Sequence, residues 1–238
     1  MEDFSYSNIF ETKGIEYIAV IIFFAILIPF WILLNRKAKL RKAFQKNFGF
    51  LSANNLVIPQ GVFFGKNHAW THLDISGIAR VGLDDLILHI TGEVNLMVLK
   101  NAGDKINKGD ELIEIDQKGK KLRIQSPISG ELMDSNSLLS ISPEIINQDP
   151  YKSGWICKIK PSRWVAETSN YYLAEEALKW TSKELERFKD FISVSAGKFS
   201  AQPAMVVLQD GGELRDNPMS EMPKEVWQDF QTNFLEQP

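Results

Sequence analysis

The stretch that most constrains the fold of this chain runs from Gly109 to Trp155, where short apolar segments alternate with turn signals. Glu111–Ile115 and Leu122–Gln125 have the length and the mixed apolar and polar pattern of β-strands. Between them lies Lys118-Gly119, and glycine tolerates the positive φ that a tight hairpin turn requires. The proline of Ser126-Pro127-Ile128-Ser129-Gly130 donates no main-chain hydrogen bond, so this motif ends the ladder. The pattern predicts a protruding hairpin on a small β-barrel.

Spaced motifs on both sides of the hairpin extend this pattern from His68 to about Lys160. They are, in order, His68-Ala69-Trp70, Arg80-Val81-Gly82-Leu83, Ser126-Pro127-Ile128-Ser129-Gly130-Glu131, Asn136, Pro143-Glu144-Ile145-Ile146-Asn147 and Asp149-Pro150-Tyr151-Lys152-Ser153-Gly154-Trp155. Their order resembles the H protein of the glycine cleavage system, a relative of lipoyl domains. The resemblance covers under half of the chain. It implies a mainly β fold, the lipoyl/biotinyl-type barrel-sandwich hybrid, and a non-catalytic protein that carries a lipoyl-lysine arm between partner enzymes.

The position of that arm is where this chain departs from the family. In the family, the lipoylated lysine lies eight residues before the proline of the S-P-x-S-G motif, and a carboxylate lies three residues before the lysine. Counting back from Pro127 reaches Gly119, and Asp116 stands where the carboxylate is expected. The resemblance therefore implies an arm position that is occupied by glycine.

Three lysines surround this glycine, and two interpretations of them remain open. Lys118 or Lys120 could carry lipoate if the turn is shifted by one residue. Alternatively, Lys118, Lys120 and Lys121 are solvated charges that protect the hairpin from edge-to-edge pairing. A shift of one residue turns a strand side chain to the opposite face, which favours the second interpretation.

The N-terminal region contains an uncharged, strongly apolar stretch from Tyr17 to Leu34. A membrane-spanning helix needs about 20 apolar residues, so we predict a transmembrane helix over residues 17–35. It is followed by the basic residues Arg36, Lys37, Lys39, Arg41, Lys42 and Lys46. Basic flanks stay in the cytoplasm, which predicts a single-pass protein of the cytoplasmic membrane with residues 1–16 outside. The acidic start disfavours a cleaved signal peptide, which would begin with a basic region.

The rest of the chain is predicted to be cytoplasmic and to contain three segments. Residues 36–66 form a basic juxtamembrane segment and connector. Residues 67–162 form the H-protein-like, lipoyl-type domain. Residues 163–238 form a C-terminal extension that is mainly helical.

Two helices are predicted in the C-terminal extension. The first runs from Ala166 to Ser193, and its apolar stripe consists of Leu178, Leu185, Phe188 and Ile192. The second is opened by Pro223 and continues through Phe234. A strand over Ala204–Leu208 makes the extension an α/β unit.

Side chains suited to catalysis or metal binding are few. The single cysteine, Cys157, lies in an alternating strand pattern, which favours a buried structural thiol. His68 and His72 are assigned to one strand, where a rise of ~3.3 Å per residue separates them too far to share a metal ion. His89 is assigned to another strand. We therefore predict no catalytic residue and no metal site, and the net charge of −3 gives no sign of a nucleic-acid partner.

Two functional hypotheses follow from these features. The first is a membrane-anchored, H-protein-like scaffold or accessory subunit of a membrane-associated complex, for example a redox complex, without a cofactor. The second is a working lipoyl carrier, modified at Lys118 or Lys120, that shuttles acyl groups or electrons. Gly119, the apolar N-terminal stretch and the C-terminal extension favour the first. A biotin carrier is disfavoured because the tip sequence, Gln117-Lys118-Gly119, lacks the Met-Lys-Met of that family.

Overall fold

The computed structural model describes residues 17–30, 50–199, 208–209 and 213–236 of the chain. The chain divides into two units, which are residues 1–48 and residues 49–238. Most of the strand predicted over Ala204–Leu208 lies outside the described residues. The domain boundaries predicted within the second unit stay predictions.

The first unit contains one described helix, α1, over residues 17–30, and its side chains are exposed. Within the described part of the chain, none of the helices combines the length and the apolar character needed to cross a bilayer. The transmembrane helix predicted over residues 17–35 is therefore not supported here. Residues 31–35 of that prediction lie outside the described residues.

The second unit contains all the described strands. They are β1 (Phe50–Leu51), β2 (Phe63–Phe64), β3 (Ala69–Leu73), β4 (Ala79–Leu83), β5 (Asn95–Val98), β6 (Lys105–Ile106), β7 (Glu111–Gln117), β8 (Lys120–Gln125), β9 (Gly130–Ser135), β10 (Cys157–Pro161), β11 (Tyr172–Leu173), β12 (Leu208–Gln209) and β13 (Glu213–Arg215). Its α-helices are α2 (Asp85–Thr91), α3 (Leu138–Ile141), α4 (Ile145–Gln148), α5 (Trp164–Thr168), α6 (Ala174–Phe199) and α7 (Lys224–Phe230). Short 3-10 helices lie at Ala53–Asn55 and Pro218–Glu221, and a π-helical turn follows α7 at Gln231–Leu235.

The described strands pair in three antiparallel sheets. One sheet has the order β11-β2-β3-β4-β10-β9-β6, the second β5-β7-β8 and the third β1-β13-β12. Val81 and Ile159 from the first sheet share one hydrophobic core with Ile113 and Leu122 from the second. This arrangement confirms the prediction of a mainly β architecture.

Helix α2 replaces the strand that was predicted around His89. Asp84 caps its start by accepting a hydrogen bond from the Ile87 N–H at 2.8 Å. The side chains of Leu86, Ile87, Leu88 and Ile90 are all buried. The prediction was wrong because a short continuous apolar run does not distinguish a buried strand from a buried helix.

The helix predicted from Ala166 to Ser193 is in fact two helices, α5 and α6, separated by the short strand β11. The hydroxyls of Thr168 and Ser169 donate to the carbonyls of Trp164 and Ala166, at 2.8 and 3.2 Å. Such local bonds compete with the continuation of a helix. All four residues of the predicted apolar stripe lie in α6.

The inner face of α6 packs on the last elements of the chain. Leu185, Phe188 and Ile192 are buried as predicted, whereas Leu178 is 47% exposed and does not belong to the stripe. The rings of Phe188 and Phe230 meet edge to face with centroids 5.7 Å apart. Phe230 belongs to α7, and we call residues 213–236, which contain this helix, the C-terminal segment.

His68 and His72 do not stand in one continuous strand. His68 has a φ of 59° and precedes β3, whereas His72 lies within it. The His68 side chain is fully buried, and its Nδ1 lies 2.8 Å from Asp84 Oδ2. His68 therefore joins the start of β3 to the start of α2 through a buried contact.

Candidate functional site: the β7–β8 hairpin tip

The predicted hairpin is formed by β7 and β8, and its turn contains only Lys118 and Gly119. Gln117 pairs with Lys120 to close the ladder. Both turn residues have positive φ, 54° for Lys118 and 83° for Gly119. This is the backbone pattern of a two-residue type I′ turn, whose twist matches that of the flanking strands. The positive φ strains the backbone of Lys118 in the first turn position, whereas Gly119 adopts it without strain in the second.

Two side chains of β7 fix the tip in place. Asp116 Oδ1 accepts a hydrogen bond from the Gly119 N–H at 3.3 Å. The buried Gln117 amide donates to the carbonyls of Thr91 and Glu93 at 2.6 and 3.1 Å. The hairpin is thus tied to the end of α2, and the Asp116 carboxylate supports the turn.

The Lys120 ammonium is held by the C-terminal segment. Its Nζ donates to the carbonyl oxygens of Met219, Ser220 and Met222, at 3.4, 2.8 and 3.2 Å. It also lies 5.0 Å from the centroid of the Trp227 ring, within cation–π distance. Partial burial, reinforced by the charge of Lys118, lowers the pKa of Lys120. Sequence reasoning missed this contact because its partners lie about a hundred residues further along the chain.

Lys118 is exposed and borders a cleft of about 700 Å³. The other charged residues that line the cleft are Glu93, Asp116 and Glu144. Lys118 therefore presents an amine at the end of a rigid hairpin, beside a concave surface that carries an excess of negative charge.

The third lysine, Lys121, belongs to a ladder of charges on the solvent face of the hairpin. Its Nζ lies 2.6 Å from Glu114 Oε1, and Arg123 Nη1 lies 2.7 Å from Glu111 Oε2. Cross-strand pairs of opposite charge support the register of a two-stranded ladder. Of the three lysines predicted to be solvated, Lys118 and Lys121 are exposed, whereas Lys120 is not.

The motif residues around the hairpin have structural roles. The Asn136 amide donates to the carbonyls of Ser153 and Trp155 at 2.9 and 2.7 Å, which fixes the loop that ends in Gly154-Trp155. A Cβ on Gly82 would lie 2.6 Å from the buried Trp70 ring. The motifs therefore mark places where the fold leaves no room for another side chain or needs an amide donor.

The sequence profile of the family described as Glycine cleavage H-protein matches residues 62–185. The chain belongs to the glycine cleavage H-protein family. The match continues into α6, beyond the residues over which the motifs were followed. The resemblance predicted from the motifs is confirmed.

Curated relatives support the same assignment. The "Probable glycine cleavage system H protein" of Thermococcus gammatolerans is 33% identical over 123 residues, which is 52% of this chain and 91% of the relative. The "Probable glycine cleavage system H protein 2" of Sulfolobus acidocaldarius is 37% identical over 111 residues, 45% of this chain and 74% of the relative. A crystal structure of a glycine cleavage system H protein from Mycobacterium marinum has 23% identity and a TM-score of 0.41, covering 44% of this chain and 87% of that one.

H-protein family members are lipoyl carriers and not enzymes themselves, which confirms the prediction that this chain is no enzyme. Lipoate needs a lysine amine, and Gly119, which the motif spacing predicts at the arm position, supplies none. A Cβ added at Gly119 would have no atom within 4 Å. The position is thus sterically open and lacks only the chemical group, so lipoate does not fit at residue 119 of this chain.

Proposed function

We propose that this chain is an H-protein-family module without a lipoyl arm, which acts as a protein-binding scaffold or accessory subunit. The observation that carries the proposal is Gly119 at the tip of an otherwise well-built hairpin. The tip is supported by Asp116 below the turn and by Gln117 against α2. The loss of the amine therefore stands alone and is not part of a general decay of the fold.

A neighbouring lysine does not simply replace the missing one. Lys120 faces the C-terminal segment, and its three carbonyl partners fill the donor capacity of an ammonium group. Attachment of an acyl chain there would leave a single N–H donor, so at least two of the three bonds would be lost, together with the charge that lies over Trp227. Lys120 is thus a structural residue in this proposal.

A second candidate function, a lipoyl carrier modified at Lys118, is favoured by the exposure of that lysine at the cleft. An amine on a rigid, protruding turn is the substrate that lipoate ligation requires. Lys118 is displaced by one residue from the family's position, so a ligase that reads the strands of the hairpin would meet it at the wrong place.

In-vitro lipoylation tests these two candidates. Full-length protein in detergent is incubated with lipoate, ATP and a lipoate–protein ligase, and incorporation is measured by mass spectrometry. We expect no incorporation into the wild type or Lys120→Arg and restored incorporation into Gly119→Lys, whose side chain would enter open space. Incorporation into the wild type that disappears in Lys118→Arg would replace the scaffold proposal by the carrier.

We also propose that residues 17–35 anchor the protein in the cytoplasmic membrane, with the H-protein module on the cytoplasmic side. The uncharged stretch Tyr17–Leu34 and the cluster of basic residues after it support this proposal. Protein subunits of a membrane-associated complex are the partners that such an anchor would bring close. The protein should stay in the pellet after alkaline carbonate extraction, and its release into the supernatant would refute the anchor.

A further inference from the structure

The outer edge of β8 is covered by side-chain amides. The N–H of Arg123 donates to Gln231 Oε1 at 2.7 Å, and the Gln231 amide donates back to the Arg123 carbonyl at 3.1 Å. The Asn67 amide donates to the carbonyl of Gln125 at 2.7 Å. An edge strand normally exposes such groups to pairing by another chain, and here both groups of Arg123 and the carbonyl of Gln125 are already bound.

The C-terminal segment that supplies Gln231 is firmly seated. Trp227, Phe230 and Phe234 are at most 1% exposed. The Trp227 indole donates to the Met219 carbonyl at 2.8 Å, so the segment also holds its own shape. The carbonyls that bind Lys120 and the amide that binds Arg123 are therefore presented by a packed scaffold and not by a loose tail.

These two contacts act on the same strand. Lys120 opens β8 beside the turn, and Arg123 lies in its middle. The contacts of the C-terminal segment with Lys120 and Arg123 together close the β8 side of the hairpin. Lys118, on the cleft side, stays exposed.

We propose that residues 213–236 act as an internal cover that closes the β8 side of the hairpin to acyl donors and to strand pairing. The cover shields the Lys120 amine and leaves Lys118, the lysine of the two-residue turn, exposed at the cleft. This inference does not depend on whether the chain carries lipoate, because it concerns general amine chemistry and the β8 edge.

Competitive acetylation tests the cover at Lys120. Full-length protein is treated with a limiting amount of the N-hydroxysuccinimide ester of acetic acid, and the yields at Lys118 and Lys120 are measured on peptides. Each yield is divided by the yield of the same lysine in urea, which removes intrinsic differences. We expect Lys120 to react about tenfold more slowly than Lys118, and equal normalised rates would overturn the cover.

The lowered pKa of Lys120 sharpens this test. A lower pKa raises the fraction of neutral amine, which by itself would make Lys120 react faster than an ordinary lysine. Slow acetylation therefore reports shielding by the C-terminal segment and not the protonation state.

Amide hydrogen exchange tests the cover at the β8 edge. In Gln231→Ala the Arg123 amide should exchange about tenfold faster than in the wild type, while the Ile115 amide in the sheet interior keeps its rate. Gln231→Glu keeps the acceptor oxygen and should restore most of the protection. Gln228→Ala, an exposed position of α7, is the matched control and should change nothing.

Two outcomes of the exchange experiment would overturn the proposal. Unchanged exchange at Arg123 in Gln231→Ala would mean that the amide pair does not protect the edge. Equal acceleration at Arg123 and Ile115 would mean that Gln231 supports the whole fold and does not cover one strand.

Discussion

At the scale of single residues, glycines of this chain meet very different surroundings. A Cβ at Gly119 would enter open space, whereas a Cβ at Gly130 would collide with the main-chain carbonyl of Lys160 on the adjacent strand β10. The first glycine is needed for its positive φ of 83° and the second for its lack of volume. Substitution should therefore separate backbone strain from steric overlap.

Gly130→Ala is expected to lower the free energy of unfolding by about 3 kcal/mol, because β9 and β10 must move apart. The control, Gly119→Ala, has room for its Cβ but holds alanine at a φ of 83°, and this backbone strain should cost about 1 kcal/mol. Urea unfolding followed by tryptophan fluorescence measures both. Equal losses in the two variants would contradict the steric explanation.

The Cys157 thiol provides a second test at this scale. Burial raises its pKa to about 12, and the side chain is fully inaccessible. Because the thiolate is the reactive form, the native protein at pH 8 should not react with Ellman's reagent, and the protein in urea should react fully. Rapid reaction of the native protein would show that β10 is not buried as described.

At the scale of elements, local side-chain hydrogen bonds decide what the pattern of apolar residues leaves open. The hairpin was predictable, because alternation and the Lys118-Gly119 pair specify both strands and the turn. The split between α5 and α6 was not, because hydroxyl side chains that end a helix are also common within helices. The prediction of a strand at His89 was wrong for a related reason. The Asp84 side chain caps a helix there, although the apolar residues around His89 also suit a strand.

Asp84 joins two elements, because it caps α2 and bonds to His68 at the start of β3. Asp84→Ala should lower the free energy of unfolding by about 2–4 kcal/mol, the sum of a lost cap and an unpaired buried ring nitrogen. Asp134→Ala removes an exposed carboxylate that pairs with Lys158 at 3.5 Å and should cost less than about 1 kcal/mol. Thermal unfolding distinguishes the two, and similar losses would remove the special role of Asp84.

At the scale of the whole molecule, the H-protein module is followed by a C-terminal segment that packs against its β7–β8 hairpin. The C-terminal segment occupies one side of the hairpin and binds Lys120, which no pattern in the sequence indicates. The motifs identified the family, because it depends on short, ordered spacings. The same spacings predict a glycine at the arm position, and this assignment stays a prediction. They did not reveal the cover, because the hairpin and the C-terminal segment meet only in the folded chain.

The central claim is that this H-protein-family chain works without a lipoyl arm. Its most direct test is the intact mass of the full-length protein, purified from a cell that lipoylates its own H protein. We expect the mass of the unmodified chain, alongside a fully lipoylated H protein from the same cells as the control. A mass raised by one lipoyl group, with the increment located at Lys118 or Lys120, would contradict the claim.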